Sequence, residues 1–223
     1  MKMIYPDWDQ PIIFEENRVN SIYLESPVVF REILMQLLKQ VGGEDGPFVL
    51  SDGEKIISLS KSMEVILSPF VVNLDDKKFY AQIYKDLQNL AFGEEIFANT
   101  QKTMNEARQY LVEILDLMPY DLHLDETMDF ATFAKSFGVK ILHDEATLAD
   151  RLIEYITLVK NILNKDIFVL VNVKTYFSQS EIQEIYESLL PKKIHIIDIE
   201  QPKKTYQFPY EYDIIIDTDL CEL

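Results

Sequence analysis

I-F-V-L-V-N-V at residues 167–173 is apolar and rich in β-branched side chains, with no polar alternation, and I-H-I-I-D-I at 194–199 comes close to the same pattern. A strand with one solvated face alternates apolar and polar residues. A strand without that alternation is buried on both faces, as in the middle of a parallel sheet. Upstream, Leu148, Leu152, Tyr155, Ile156 and Val159 fall at helical spacing over 147–163. Between the two strands, Ser178 and Glu181 make a capping box for a helix that Pro191 stops. Helix, strand, helix and strand in succession describe a crossover unit of a parallel sheet.

Further strand-like segments lie at 11–14, 19–24, 47–50, 56–59, 65–72 and 213–216. Asp52-Gly53 marks a hairpin, and Ser26-Pro27 opens a helix that Gly42-Gly43 closes. The centre differs. Residues 75–92 and 94–118 read as two long helices separated by Gly93, with Phe79, Ile83, Leu87, Leu90, Ile96, Met104, Tyr110 and Leu111 as apolar positions. The only strand-like feature up to 137 is a short alternation at 121–124. The expected fold is therefore α/β: a head with a mostly parallel sheet from residues 1–73 and 139–223, and an α-helical insertion at 74–138.

With 48% hydrophobic and 26% charged residues, the chain has material for a core and is not disordered. The single cysteine, Cys221, builds neither a disulfide framework nor a zinc cluster, so a reducing cytoplasm is the expected compartment. No run nears the roughly 20 apolar residues of a membrane span, and the N-terminus lacks the apolar segment of a secretory signal. The net charge of −17 weighs against nucleic acid. That charge is uneven, however: residues 111–150 hold 2 basic and 9 acidic side chains, against 11 and 17 in 1–110 and 8 and 12 in 151–223. A local basic patch remains compatible with such a total, especially where several subunits contribute lysines.

Neither G-x-x-x-x-G-K-[ST] nor G-x-G-x-x-G occurs, and the first strand-to-helix junction, L-E-S-P-V at 24–28, has no glycine. Without it, backbone amides cannot close around a phosphate, so ATP hydrolysis is not expected. His123, His143 and His195 have no metal-ligand spacing, and there is no nucleophile elbow. His195, between isoleucines, reads as a hydrogen-bonded sheet residue.

The densest negative field lies in Y-D-L-H-L-D-E-T-M-D-F-A-T-F-A-K-S-F-G-V-K at 120–140. Asp121, Asp125 and Glu126 offer hard oxygen donors that suit calcium or magnesium, with Asp116 and Glu113 just upstream. The EF-hand spacing is missing. From residue types alone, the stretch is either a solvated acidic turn or a metal site. Phe130, Phe133, Ala134 and Phe137 then form an apolar stripe, and Lys135 and Lys140 bracket a helix stop at Gly138.

This stretch, the strand at 167–172 with K-T-Y-F-S at 174–178, and the segment at 194–202 resemble the spacer-acquisition subunit of type II-A CRISPR systems. The resemblance spans nearly the whole chain but rests on short motifs. It implies a head similar to P-loop ATPases in topology without the phosphate loop. It also implies a non-enzymatic homotetrameric ring, stabilised by calcium, that holds double-stranded DNA from a free end during adaptation in antiviral defence, together with other CRISPR adaptation and effector proteins. By position, Asp121, Asp125 and Glu126 match the family's acidic turn, with Asp116 a weaker candidate, and Lys135 and Lys140 match its lysines. His123 stands where an acid is more usual. Lys77, Lys78 and Lys174 join the DNA-binding set on charge alone. The alternative is a metal-dependent nuclease using the acids at 121–126.

Overall fold

The computed structural model describes residues 1–124, 129–143, 147–201, 206 and 208–217. Among the described residues the elements run β1 (Lys2–Ile4), β2 (Ile12–Ile13), β3 (Val19–Leu24), α1 (Pro27–Val41), β4 (Val49–Asp52), β5 (Lys55–Ile57), α2 (Leu59–Ser62) and β6 (Met63–Ile66). They continue with α3 (Lys77–Ala91), α4 (Phe97–Leu115), α5 (Phe130–Ser136), α6 (Leu148–Leu163), β7 (Ile167–Val171), α7 (Val173–Tyr176), α8 (Gln179–Leu189), β8 (His195–Glu200) and β9 (Glu211–Ile216). Contacts divide the chain into two compact units, residues 1–74 with 144–223, and residues 75–143.

The first unit is α/β. Its five-stranded sheet runs β6-β7-β8-β3-β9 with every pair parallel. The apolar strand β7 is buried at every position, and β3 is buried throughout although it carries Asn20 and Ser21. Register then decides what each face carries. Ser21 pairs with Asp198 on one side and Asp213 on the other, and Tyr23 pairs with Glu200. One sheet face thus collects polar side chains. The alternate positions Ile22, Leu24, Val169, Val171, Ile197, Ile199, Ile214 and Ile216 build an apolar core with Ile33, Leu34 and Leu37 of α1.

A small antiparallel sheet, β2-β1-β4-β5, joins that core through Met3, Ile12 and Leu50. Its β4–β5 hairpin turns at Gly53, whose φ of 58° is left-handed and suits a residue without Cβ. β1 had no sequence signal, since three residues are too short to establish a period. It forms because its backbone is paired on both sides, by β2 and β4. The segment expected to be a strand to residue 72 stops at Ile66. Pro69 follows, and the Ser68 hydroxyl accepts the Phe70 N–H at 3.4 Å to open a single 3-10 turn.

Helix ends follow local chemistry. Thr147 with Asp150, and Ser178 with Glu181, form complete capping boxes on α6 and α8. Gly42 and Gly43 close α1. Where a phosphate loop would lie, the Glu25 N–H is taken by the Ile216 carbonyl at 3.1 Å and Pro27 removes another donor.

Candidate nucleic-acid interface and metal centre

The second unit is helical, and its basic side is assembled around α3. Asp76 caps that helix by accepting the Lys78 N–H at 2.9 Å, and Phe79 and Ala91 bury its inner face. Tyr80 and Tyr84, four residues apart, share a second face. The Tyr84 hydroxyl donates to the Val139 carbonyl at 3.4 Å, and the Tyr80 hydroxyl accepts from the Ile141 N–H at 3.4 Å. Residues 139–141 are thereby laid along α3, which is why this segment belongs with the helical unit.

Tyr80 also donates to Asp75 at 2.5 Å, and His143 lies 3.6 Å from the same carboxylate. The Tyr80 bond first, then the charges of His143 and Lys140, hold Asp75 below the usual carboxylate range. The charge of Lys140 thus reaches Asp75, two residues before Lys77 at the start of α3.

Asp129 positions α5 by accepting from Thr132 Oγ1 at 2.9 Å and from the backbone of Ala131 and Thr132. The Thr132 hydroxyl bond is the main reason its carboxyl is held low. Phe130, Phe133 and Phe137 pack in series, with centroids 6.0 and 5.0 Å apart, and Phe92 meets Phe130 at 6.3 Å. The helix ends at Gly138, with φ of 67° and its N–H on the Lys135 carbonyl at 3.0 Å. Lys135 extends over the Tyr84 ring, 5.3 Å from its centroid.

The charge of this unit is segregated. Residues 77–91 and 130–143 carry five lysines (77, 78, 85, 135, 140) and one acid, Asp86, with Asp75, Asp76 and Asp129 at the helix starts. Residues 94–126 carry eight acids against Lys102 and Arg108. Lys77, Lys85, Lys135 and Lys140 are exposed and Lys78 is half-buried. Lys85 was missed in the sequence; its position seven residues after Lys78 on α3 was the available signal.

The acidic candidates come out differently. Asp116 caps the end of α4 and is exposed, and Asp121 and His123 are exposed in a segment without regular structure. The 121–124 alternation forms no strand. Asp125 and Glu126 lie outside the described residues. Among the described residues, no three His, Cys, Asp or Glu side chains are grouped to hold a metal. Asp116 and Asp121 fall well short of the six to eight oxygens that calcium takes.

Lys174 is corrected. It does not face solvent but lies in the head, its side chain wholly buried, with Nζ 2.6 Å from Glu211 and 3.8 Å from Asp198. It donates to Tyr23 at 2.9 Å and to Ser21 at 3.3 Å, while its own N–H goes to Glu200 at 2.9 Å. Burial works to lower its pKa, but Asp198, Glu211 and Tyr23 outweigh it and raise it above normal. A lysine so enclosed holds β3, β8 and β9 together and cannot reach a phosphate. Two carboxylates around one ammonium, Glu211 and Asp198, cannot both ionise cheaply without water. Asp198, which also accepts from Tyr186, bears that strain: burial pushes it up to about 7 despite Lys174. The sequence signal for this cluster was an acid inside the apolar strand at 194–199.

His195 is a sheet residue, as expected: its N–H goes to the Asp166 carbonyl at 2.9 Å and its ring packs on Phe14 at 5.4 Å. Burial lowers its pKa.

The family model for "CRISPR-associated protein (Cas_Csn2)" matches residues 40–220. A protein described as CRISPR-associated protein Csn2, from Enterococcus faecalis, is 22% identical over 210 residues, spanning 88% of this chain and 95% of its own length. Among solved structures, cbiO1 from Clostridium perfringens, part of the ABC transporter complex cbiONQ, covers 86% of this chain and 70% of its own at 15% identity, with a TM-score of 0.44.

Proposed function

The chain belongs to the Csn2 family of CRISPR-associated proteins, and from that premise we propose that it binds double-stranded DNA without sequence preference and without bond chemistry of its own. In this reading it holds DNA ends in the cytoplasm during spacer acquisition, as a homotetrameric ring working with other CRISPR adaptation and effector proteins.

The observation that carries the reading is the charge segregation of the helical unit. In a chain of net charge −17, five lysines share α3 and the 130–143 segment packed on it, against Asp86 and the helix-start acids Asp75, Asp76 and Asp129. Lys77, Lys78, Lys135 and Lys140 would meet phosphates, which give affinity without reading bases. Self-association is supported by exposed apolar side chains late in α4 and just beyond it: Tyr110, Leu111, Ile114, Leu117 and Met118. Calcium enters through the hard oxygens of Asp121, Asp125 and Glu126, with Asp116 nearby. Bound there, it would neutralise crowded carboxylates and favour the assembled form.

The test is filter binding of linear against covalently closed circular duplex, with calcium and with chelator, using wild type and a Lys77→Ala/Lys135→Ala/Lys140→Ala variant. We expect linear DNA to bind more tightly, and the variant to lose affinity and salt dependence together. Equal affinity for both topologies would refute end-threading. An unchanged salt slope in the variant would refute the lysine assignment.

A further inference from the structure

The first unit contains a small cavity that neither the sheet's architecture nor the DNA reading uses. Tyr5-Pro6-Asp7-Trp8 makes a turn closed by the Trp8 N–H on the Tyr5 carbonyl at 3.1 Å. Proline in the second position presets that turn and folds Trp8 back over Tyr5, ring centroids 5.2 Å apart and tilted by 51°. Phe48 backs both, 4.8 Å from Tyr5 and 6.2 Å from Trp8. Tyr5 is fixed further by donating to Gln36 of α1 at 3.0 Å.

Beside these rings lies a void of about 70 Å³, floored by Val29 and Ile33 and flanked by Asp7 and Glu32. One water needs roughly 10–15 Å³, so the void takes about five heavy atoms. Both carboxylates are exposed. Among the described residues, none that lines the void is a lysine or arginine. The local field is negative: after burial, the Asp7 and Glu32 charges are what raise the Tyr5 hydroxyl.

Aromatic faces beside carboxylates attract a cation and repel an anion. Aromatic rings beside carboxylates favour a guanidinium over a compact, strongly hydrated ammonium, because a guanidinium stacks on a ring while its edge meets carboxylates. We propose that the Tyr5–Trp8 notch receives an arginine side chain of a partner protein, with Trp8 and Tyr5 as its aromatic wall and Glu32 and Asp7 as counter-charges. The notch lies in the first unit and its recognition is independent of the lysines assigned to DNA.

Trp8 is the single tryptophan of the chain, so it reports directly on occupancy. The full-length protein is titrated with the peptide Gly-Gly-Arg-Gly-Gly, with the same peptide carrying citrulline, and with free arginine, following Trp8 emission. The expected result is a saturable change with the arginine peptide in the millimolar range. The citrulline peptide, of the same shape but uncharged, gives none. Glu32→Gln, an exposed position that leaves the fold intact by far-UV circular dichroism, weakens binding about threefold to fivefold, and Asp7→Asn does the same. Four outcomes overturn the proposal: an equal response to citrulline, no saturable response, an unchanged affinity in both variants, or binding of free arginine but not of the peptide.

Discussion

Asp198 offers the sharpest test of how the head is held together. Its carboxyl is buried between Lys174, Glu211 and Tyr186, and burial pushes it from 3.8 up to about 7. A carboxyl whose pKa is raised on folding stabilises the fold fully below its unfolded pKa. That contribution is lost as pH rises through the folded value. At 1.36 kcal/mol per unit the whole shift corresponds to roughly 4 kcal/mol, more than half of which falls between pH 5 and 8.

Asp198→Asn keeps the shape and stays neutral at every pH, while Glu211 remains as counter-charge to Lys174 at 2.6 Å. The assay is urea unfolding from pH 5 to 8, followed by Trp8 emission, since Trp8 lies in the same unit. Wild type should lose stability relative to the variant by about 2–3 kcal/mol across that window, and the His195 contribution, present in both proteins, cancels in that difference. Asp75, Asp129 and Glu181 do not confuse the result. Their carboxyls are held low by hydrogen bonds, so their contributions are present throughout this window and are lost only at more acidic pH. A wild-type-minus-variant difference that stays constant from pH 5 to 8 would refute the reasoning.

Lys174→Met should destabilise the head by about 3–5 kcal/mol, because it leaves buried carboxylates without their cation; a variant that unfolds at the wild-type urea midpoint yet loses DNA would return Lys174 to the binding surface. Lys135→Ala should reduce the slope of log K against log salt by about 0.9 for each phosphate contact it removes, read from binding at several salt concentrations. Gly138→Ala, at φ of 67°, should cost about 1–2 kcal/mol of helical-unit stability and weaken DNA binding by displacing Lys140, measured by thermal unfolding and filter binding. Thr147→Ala should cost about 1 kcal/mol through loss of the α6 capping box, and a melting temperature identical to wild type would contradict it.

Much of the fold was legible because its signals are local. The both-faces-buried strands at 167–173 and 194–199 are central strands of the parallel sheet, and the boxes at Thr147 and Ser178 cap the helices they announced. Gly138 does separate Lys135 from Lys140 at a helix end. Illegible features depend on pairing or on segments far apart in the chain. The 121–124 alternation forms no strand. β1 becomes a strand only through its two neighbours. The Tyr5–Trp8 notch needs α1, as well as the turn, to exist.

The sequence by itself determined the class of fold, the absence of a phosphate loop and the positions of the charged residues, because periodicity, capping and composition are properties of neighbouring residues. Tertiary structure alone decided what each charge faces. Lys135 and Lys174 are the same side chain, and from the sequence both read as DNA-contacting. One projects over Tyr84 at the surface of a helix, while the other is enclosed by Glu211, Asp198 and Tyr23. That difference comes from strand register, which brings residues 21, 23, 198 and 211 around position 174. Buried charge then persists only where its partners are close enough to replace water.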